Sequence, residues 1–150
     1  MAKPYAYNRR ARYDYEIKET LEAGISLKGY EVKAVKTGHC SLRGSFVVLK
    51  NERPYLLNSS IPPYQPKNTP KNYDPNRSRQ LLLNKKEIRR LIGKTKEKGL
   101  TLIPIKMYNK KGRIKVEIGV GRGKRKIDKR EKIKKRDIKR EVDRDLRSKE

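Results

Sequence analysis

A mainly β, antiparallel fold follows from three observations in this sequence. Ile114, Val116, Ile118 and Val120 alternate with Arg113, Lys115, Glu117 and Gly119, the period of two that marks a strand with one buried face. The other β-rich runs, 46–49, 55–57 and 103–107, are short and punctuated by turn residues. Few of the connections are long enough and helical enough for parallel crossovers. Together these predict a partly open barrel of five or six antiparallel strands, of oligonucleotide-binding type, with two or three flanking helices and a basic C-terminal tail. A chain of 150 residues holds one such domain plus an appendage.

Taken in order, residues 1–12 are basic and aromatic with no apolar period, which predicts a mobile lead-in. Tyr13, Tyr15, Ile17 and Leu21 then share one parity, with Asp14, Glu16 and Lys18 between them, and predict a first strand ending at Gly24. Ser26 can cap a helix over 27–37 that Gly38 stops. Gly29 costs that helix roughly 1 kcal/mol against alanine, so close packing or the close approach of a partner would account for it. The runs 46–49 and 55–57 form a hairpin through Lys50, Asn51, Glu52 and Arg53, with Pro54 at an edge or a strand start. Residues 58–79 hold five of the eight prolines and read as a long irregular loop.

Leu81, Leu82 and Leu83 predict a buried strand or the lead into a helix. The clearest helix follows: Asn84 caps it, Glu87 completes a capping box, and Ile88, Leu91, Ile92 and Thr95 form one apolar stripe before Gly99 ends it. Ile103, Ile105 and Met107 share a parity on the next strand. Asn109, Lys110, Lys111 and Gly112 turn it into the last one. The domain is thus predicted over 13–121 and the tail over 122–150. In the tail Ile138, Val142 and Leu146 form a thin stripe, and pairs such as Glu131 with Lys135 favour helix by about 0.2–0.5 kcal/mol each. So polar a helix is predicted to be disordered alone and helical against a partner.

Charge narrows the function. The formal net charge is +25. Before Arg122 stand 27 basic and 10 acidic residues, and from it onward 15 and 7, so both parts are cationic. A polyanion is the expected partner, nucleic acid first. No run approaches the roughly 20 apolar residues of a membrane span, so no membrane is expected. Nine tyrosines beside one phenylalanine and no tryptophan offer stacking platforms with polar tips. Cys40 and His39 are the single cysteine and single histidine, too few for a disulfide or a zinc site, and suit a reducing cytoplasm.

Catalysis has no foothold. Asp14, Glu16, Glu19 and Glu22 read as solvated strand charges rather than metal ligands. His39 and Cys40 are sequence neighbours without a third orienting group. The glycine-rich 119–123 lacks the lysine and hydroxyl residue of a phosphate loop. No cofactor and no metal are expected.

Longer stretches resemble one family. NRRARYDYEI from Asn8, EAGISLKGYEVKAVKTG, LRGSFV, NYDPNRSRQLLLNKKEIRRLIGK from Asn72 and KGLTLIPIKMYNKKGRIKVEIGVGRGKRKIDKRE from Lys98 are similar, in order and spacing, to the small protein B family, the SsrA-binding proteins. The resemblance implies an oligonucleotide-binding-type barrel that binds the tRNA-like domain of tmRNA and serves trans-translation on stalled ribosomes. It implies a cytoplasmic, non-enzymatic monomer whose tail probes the vacant mRNA channel and decoding region. By matching positions it implies that Asn8, Glu31 and Leu91 bind tmRNA, and that Asp128, Lys129 and Arg130 bind the ribosome. The cations Arg9, Arg10, Lys33, Arg122, Lys124 and Arg125 join the first set. Lys134, Lys135, Arg136, Lys139 and Arg140 join the second. Read from periodicity, Leu91 suits core packing instead, and Glu31 suits a surface ion pair with Lys28 or Lys33. Ile127 stands where the family commonly carries an aromatic residue or histidine, Asn84 where a histidine is common, and the SSIPPY stretch replaces a more apolar segment. The alternative is a ribosomal-type RNA binder with no tmRNA preference.

Overall fold

The computed structural model describes residues 3–97 and 99–124, so the expectations for 125–150 lie outside the described residues. Seven strands make one antiparallel sheet in the order β1-β6-β7-β2-β5-β4-β3. In chain order these are β1 (Ala6–Tyr7), β2 (Tyr15–Ile25), β3 (Phe46–Lys50), β4 (Arg53–Leu57), β5 (Arg79–Leu82), β6 (Leu100–Lys110) and β7 (Arg113–Gly123). Among the described residues three α-helices flank the sheet: α1 (Arg10–Asp14), α2 (Gly29–Lys36) and α3 (Lys85–Lys96). β3 curls round to pack against β6 without joining it in a ladder, so the predicted barrel is open along that seam.

Two tight hairpins follow from their turn residues. Asn51 and Glu52 between β3 and β4 take φ of 52° and 62°, and Lys111 and Gly112 between β6 and β7 take 51° and 79°. Two consecutive left-handed residues match the twist of the strands they join. Asn84 caps α3 as its sequence predicts: its side chain accepts from the Glu87 amide at 2.8 Å and Glu87 accepts back from the Asn84 amide at 3.2 Å. Helix α2 is shorter than predicted. It starts after Lys28, whose amide donates to Glu31 Oε1 at 2.8 Å.

The predicted alternation of β7 holds, since Ile114, Val116, Ile118 and Val120 are all buried in the main core with Leu56, Ile61, Leu81 and Leu91. The predicted parities of β2 and β6 break at bulges. The β2–β7 register shifts between Ile17 and Glu19, and the β6–β7 register between Pro104 and Lys106. Each extra residue turns the rest of its strand over. Tyr15 and Ile17 therefore face outward while Leu21 and Ala23 face the main core. Ile103 and Ile105 likewise face outward and Met107 inward, so these three do not share a face.

The outward residues form a second small cluster, covered by Ala11 of α1. The predicted lead-in of residues 1–12 thus holds β1 and most of α1, and the helix runs on through Tyr13 and Asp14, where the sequence predicts the first strand to begin. The helix exists because it roofs apolar surface that the two bulges expose. Beneath it β7 carries glycines. A Cβ on Gly119 would stand 2.9 Å from Ile105 Cδ1, and one on Gly121 2.5 Å from the Glu16 carbonyl oxygen. The glycine-rich run is the floor of this cluster, and β7 continues past the predicted boundary at Gly121 to Gly123.

Candidate nucleic-acid interface

Helix α1, the start of β2 and the end of β7 bring cations together. Arg9, Arg10 and Arg12 are exposed on and before α1, and Lys18 is exposed at the β2 bulge. Arg122 pairs in register with Glu16, and the Lys124 amide donates to the Asp14 carbonyl at 3.1 Å. The acids here are already engaged. Arg10 Nε donates to Asp14 at 3.2 Å and Lys18 to Glu16 at 2.9 Å. The Glu16 carboxyl is held below its usual range, chiefly by Lys18 and then by Arg122 and Lys124. The field at this end is therefore strongly positive.

Tyr13, read from parity as a strand residue, is instead on α1 and 71% exposed, with the Arg10 guanidinium 5.3 Å from its ring centroid. The helix hid it from a period-two reading. A short run with no apolar stripe gives little sign of a helix in sequence. An exposed ring among cations offers a base a stacking surface and its phosphates counter-charges.

The structure thus gathers Asn8, Arg9, Arg10, Arg122 and Lys124 at one end. Asn8 has a positioning part. Its side chain donates to the Pro104 carbonyl at 2.9 Å, its amide to Ile105 at 2.7 Å, and its carbonyl accepts from Ala11 at 3.1 Å. It ties α1 to the β6 bulge. Lys33 is exposed on α2, which follows the opposite end of β2. Arg125 and the tail positions Asp128, Lys129, Arg130, Lys134, Lys135, Arg136, Lys139 and Arg140 lie outside the described residues.

Two expected contact residues are interior. Leu91 is 1% exposed and packs in the main core from α3, as its apolar stripe indicates. Glu31 is fully buried, and its ion pairs are with Arg77 and Arg79 in place of the expected surface pair with Lys28 or Lys33. Its Oε2 accepts from Arg79 Nε at 2.9 Å, Arg77 Nε at 3.0 Å and Tyr73 at 3.0 Å, and its Oε1 from Arg77 Nη2. Burial alone would raise the carboxyl, but the Arg77 hydrogen bond, the Lys28 amide and Arg79 bring it down to about 2. Arg79, also fully buried, donates to the carbonyls of Ser59, Pro75 and Arg77 at 2.9–3.2 Å. The long loop before β5 is therefore anchored on one buried ion cluster that joins Glu31 to Arg77, Arg79 and Tyr73.

A groove of about 410 Å³ lies beside α2, with an aliphatic floor that includes Ile25, Leu27, Val32 and Leu82 and a rim of Lys36, Arg113 and Lys115. Leu82 is 52% exposed. Strand alternation gives the signal that was missed: of three consecutive leucines, one on β5 must face away from the core. Every charged residue lining the groove is a cation.

Burial pushes the Cys40 thiol up to about 11, and its Sγ faces the Tyr5 carbonyl rather than His39. No group of three or more His, Cys, Asp or Glu residues stands where it could hold a metal ion among the described residues. No described helix is long and apolar enough to cross a membrane.

Comparison with known proteins identifies the family. The family model described as SmpB protein matches residues 5–148. The SsrA-binding protein of Thermosipho africanus is 54% identical over 141 residues, covering 93% of this chain and 94% of that protein. The SsrA-binding protein of Acaryochloris marina is 50% identical over 140 residues, covering 93% and 91%. A chain from the solved structure described as "tmRNA-SmpB: a journey to the center of the bacterial ribosome" is 52% identical, with a TM-score of 0.65, and covers 82% of this chain and 86% of that one. With a family model spanning nearly its whole length and relatives at about half identity, this chain belongs to the SmpB family.

Proposed function

We propose that the chain is a non-enzymatic adaptor that binds the tRNA-like domain of tmRNA and delivers it to stalled ribosomes in trans-translation. The observation that carries this is the cationic end of the sheet, where Arg9, Arg10 and Arg12 on and before α1 meet Arg122 and Lys124 at the end of β7 and where Tyr13 is exposed beside Arg10. Relatives named for SsrA binding, and a structural neighbour described together with tmRNA and the ribosome, support it. Recognition belongs to a body of residues 13–121, extended by α1 and the end of β7. Beyond Lys124, the tail of 122–150 has the separate task of entering the vacant mRNA channel and decoding region, with Asp128, Lys129 and Arg130 at its centre. Peptidyl transfer stays with the ribosome.

The breadth of the charge favours one rival reading. Helix α3 alone exposes Lys85, Lys86, Arg89, Arg90 and Lys96, as a general ribosomal RNA binder would. The test is rescue of ribosomes stalled on a message without a stop codon, supplied with tmRNA. An adaptor restores their release only when the chain and tmRNA are both present, and a chain lacking 125–150 binds tmRNA without restoring it. A general RNA binder restores nothing with or without tmRNA.

A further inference from the structure

We propose that Tyr64 and His39 form a base-stacking site for an unpaired nucleotide, apart from the α1 end. The proposal rests on the RNA-binding reading above and adds a contact at the α2 end of the molecule. The two rings lie 5.4 Å apart at a 40° tilt. Tyr64 is 43% exposed, and His39 is exposed as well.

Both rings stand on braced backbone. Ser41 and Ser60 exchange two backbone hydrogen bonds of 2.9 Å and tie the two segments together. The Ile61 side chain is fully buried and its amide donates to the Pro75 carbonyl at 3.0 Å. Beyond Tyr64, Thr69 Oγ1 donates to the Gln65 carbonyl at 2.9 Å. Thr37 Oγ1 holds His39 Nδ1 at 2.8 Å. Aromatic rings kept in water on a rigid loop are prepaid for stacking, because little freedom remains to be lost on binding.

The electrostatics select the ligand. Residues 32–51 and 53–73 contain no acidic residue, while Lys33, Lys36, Arg43, Lys67 and Lys71 are exposed along them. Of the acids at the borders, Glu31 is held by its buried arginines and Asp74 accepts from the Asn76 amide at 2.9 Å, while Glu52 sits in the β3–β4 turn. Cations without local anions suit phosphates, and open π-faces suit bases that are not paired. A duplex offers the first but not the second.

The source of the base is either tmRNA or ribosomal RNA, so the probes are a tRNA-like fragment of tmRNA and isolated small ribosomal subunits, with a blunt RNA duplex as reference. The full chain is cross-linked to the two natural RNAs substituted with 4-thiouridine. Affinities are measured for Tyr64→Leu, which keeps an apolar side chain against His39, and for Tyr64→Phe. The proposal expects cross-links at the peptide holding Tyr64. It expects Tyr64→Leu to bind one natural RNA about tenfold more weakly, at unchanged melting temperature and duplex affinity, and Tyr64→Phe to bind like the wild type. The RNA that weakens is the source. Absence of the cross-link, equal loss on the duplex, or unchanged affinity for both natural RNAs overturns the site. Failure of the adaptor reading shows separately, as a wild-type chain that does not prefer the tRNA-like fragment to the duplex.

Discussion

Glu31→Gln takes the anion away from two guanidinium groups, one of them fully buried. An uncompensated buried charge costs about 3–5 kcal/mol, so this variant is expected to melt far below the wild type at neutral pH, read by circular dichroism. The pH dependence follows with a definite sign. The Glu31 carboxyl titrates at about 2 in the folded chain against a usual 4.5. Its contribution is therefore present above the usual value and lost as pH falls from there toward about 2. Acid titration of stability should show this loss in the wild type and a flatter profile in a folded Glu31→Asn or Glu31→Gln chain. Leu91→Ala is expected to cost about 2–5 kcal/mol by emptying core volume. The surface residues behave differently. Arg10→Gln and Arg122→Gln should weaken RNA binding and lower the salt slope while leaving melting nearly unchanged, which separates contact from support. Charge counting alone places Glu31 at the surface, since acids are seldom buried unless paired. The partners that bury it stand more than forty positions away in sequence.

At the scale of elements, the two bulges decide where apolar faces point, and the glycines of β7 permit it. Gly121→Ala is expected to destabilise by a few kcal/mol or to shift the β2–β7 register, because its Cβ meets backbone at 2.5 Å rather than a side chain that can swing away. Denaturant unfolding and amide exchange across β2 read the two outcomes. Gly93 in α3 has nothing within 4 Å of an added Cβ, so Gly93→Ala should stabilise by about 1 kcal/mol. Gly29 has equally open space around it, so close packing does not account for it. The elements most legible in the sequence are those written locally: the alternation of β7, the capping box of α3, and the two hairpin turns. The bulges at Lys18 and Ile105 are less legible. Each depends on what the neighbouring strand brings, and a parity argument carried through them assigns the wrong face to half a strand. Helix α1 escapes for the same reason, since its single buried residue, Ala11, has meaning only above the outward isoleucines.

For the whole molecule, the surface is cationic at several places rather than along one stripe. The family and the sheet architecture are readable from the sequence, and the gathering of residues 8–10 with 122–124 at one end comes from the antiparallel pairing of β2 with β7 and from the Asn8 contacts to β6. On this reading the folded end, and not total charge, recognises a tRNA-like RNA. The most direct measurement is the affinity of the full chain and of a chain ending at Lys124, after the last described strand, for a tRNA-like tmRNA fragment and a length-matched duplex at two salt concentrations. Removing 125–150 should weaken both ligands, with a shallower salt slope. The shortened chain is expected to keep a clear preference for the tRNA-like fragment, and the preference to survive the higher salt. A shortened chain that binds both RNAs alike would contradict it and leave a general polycation in its place.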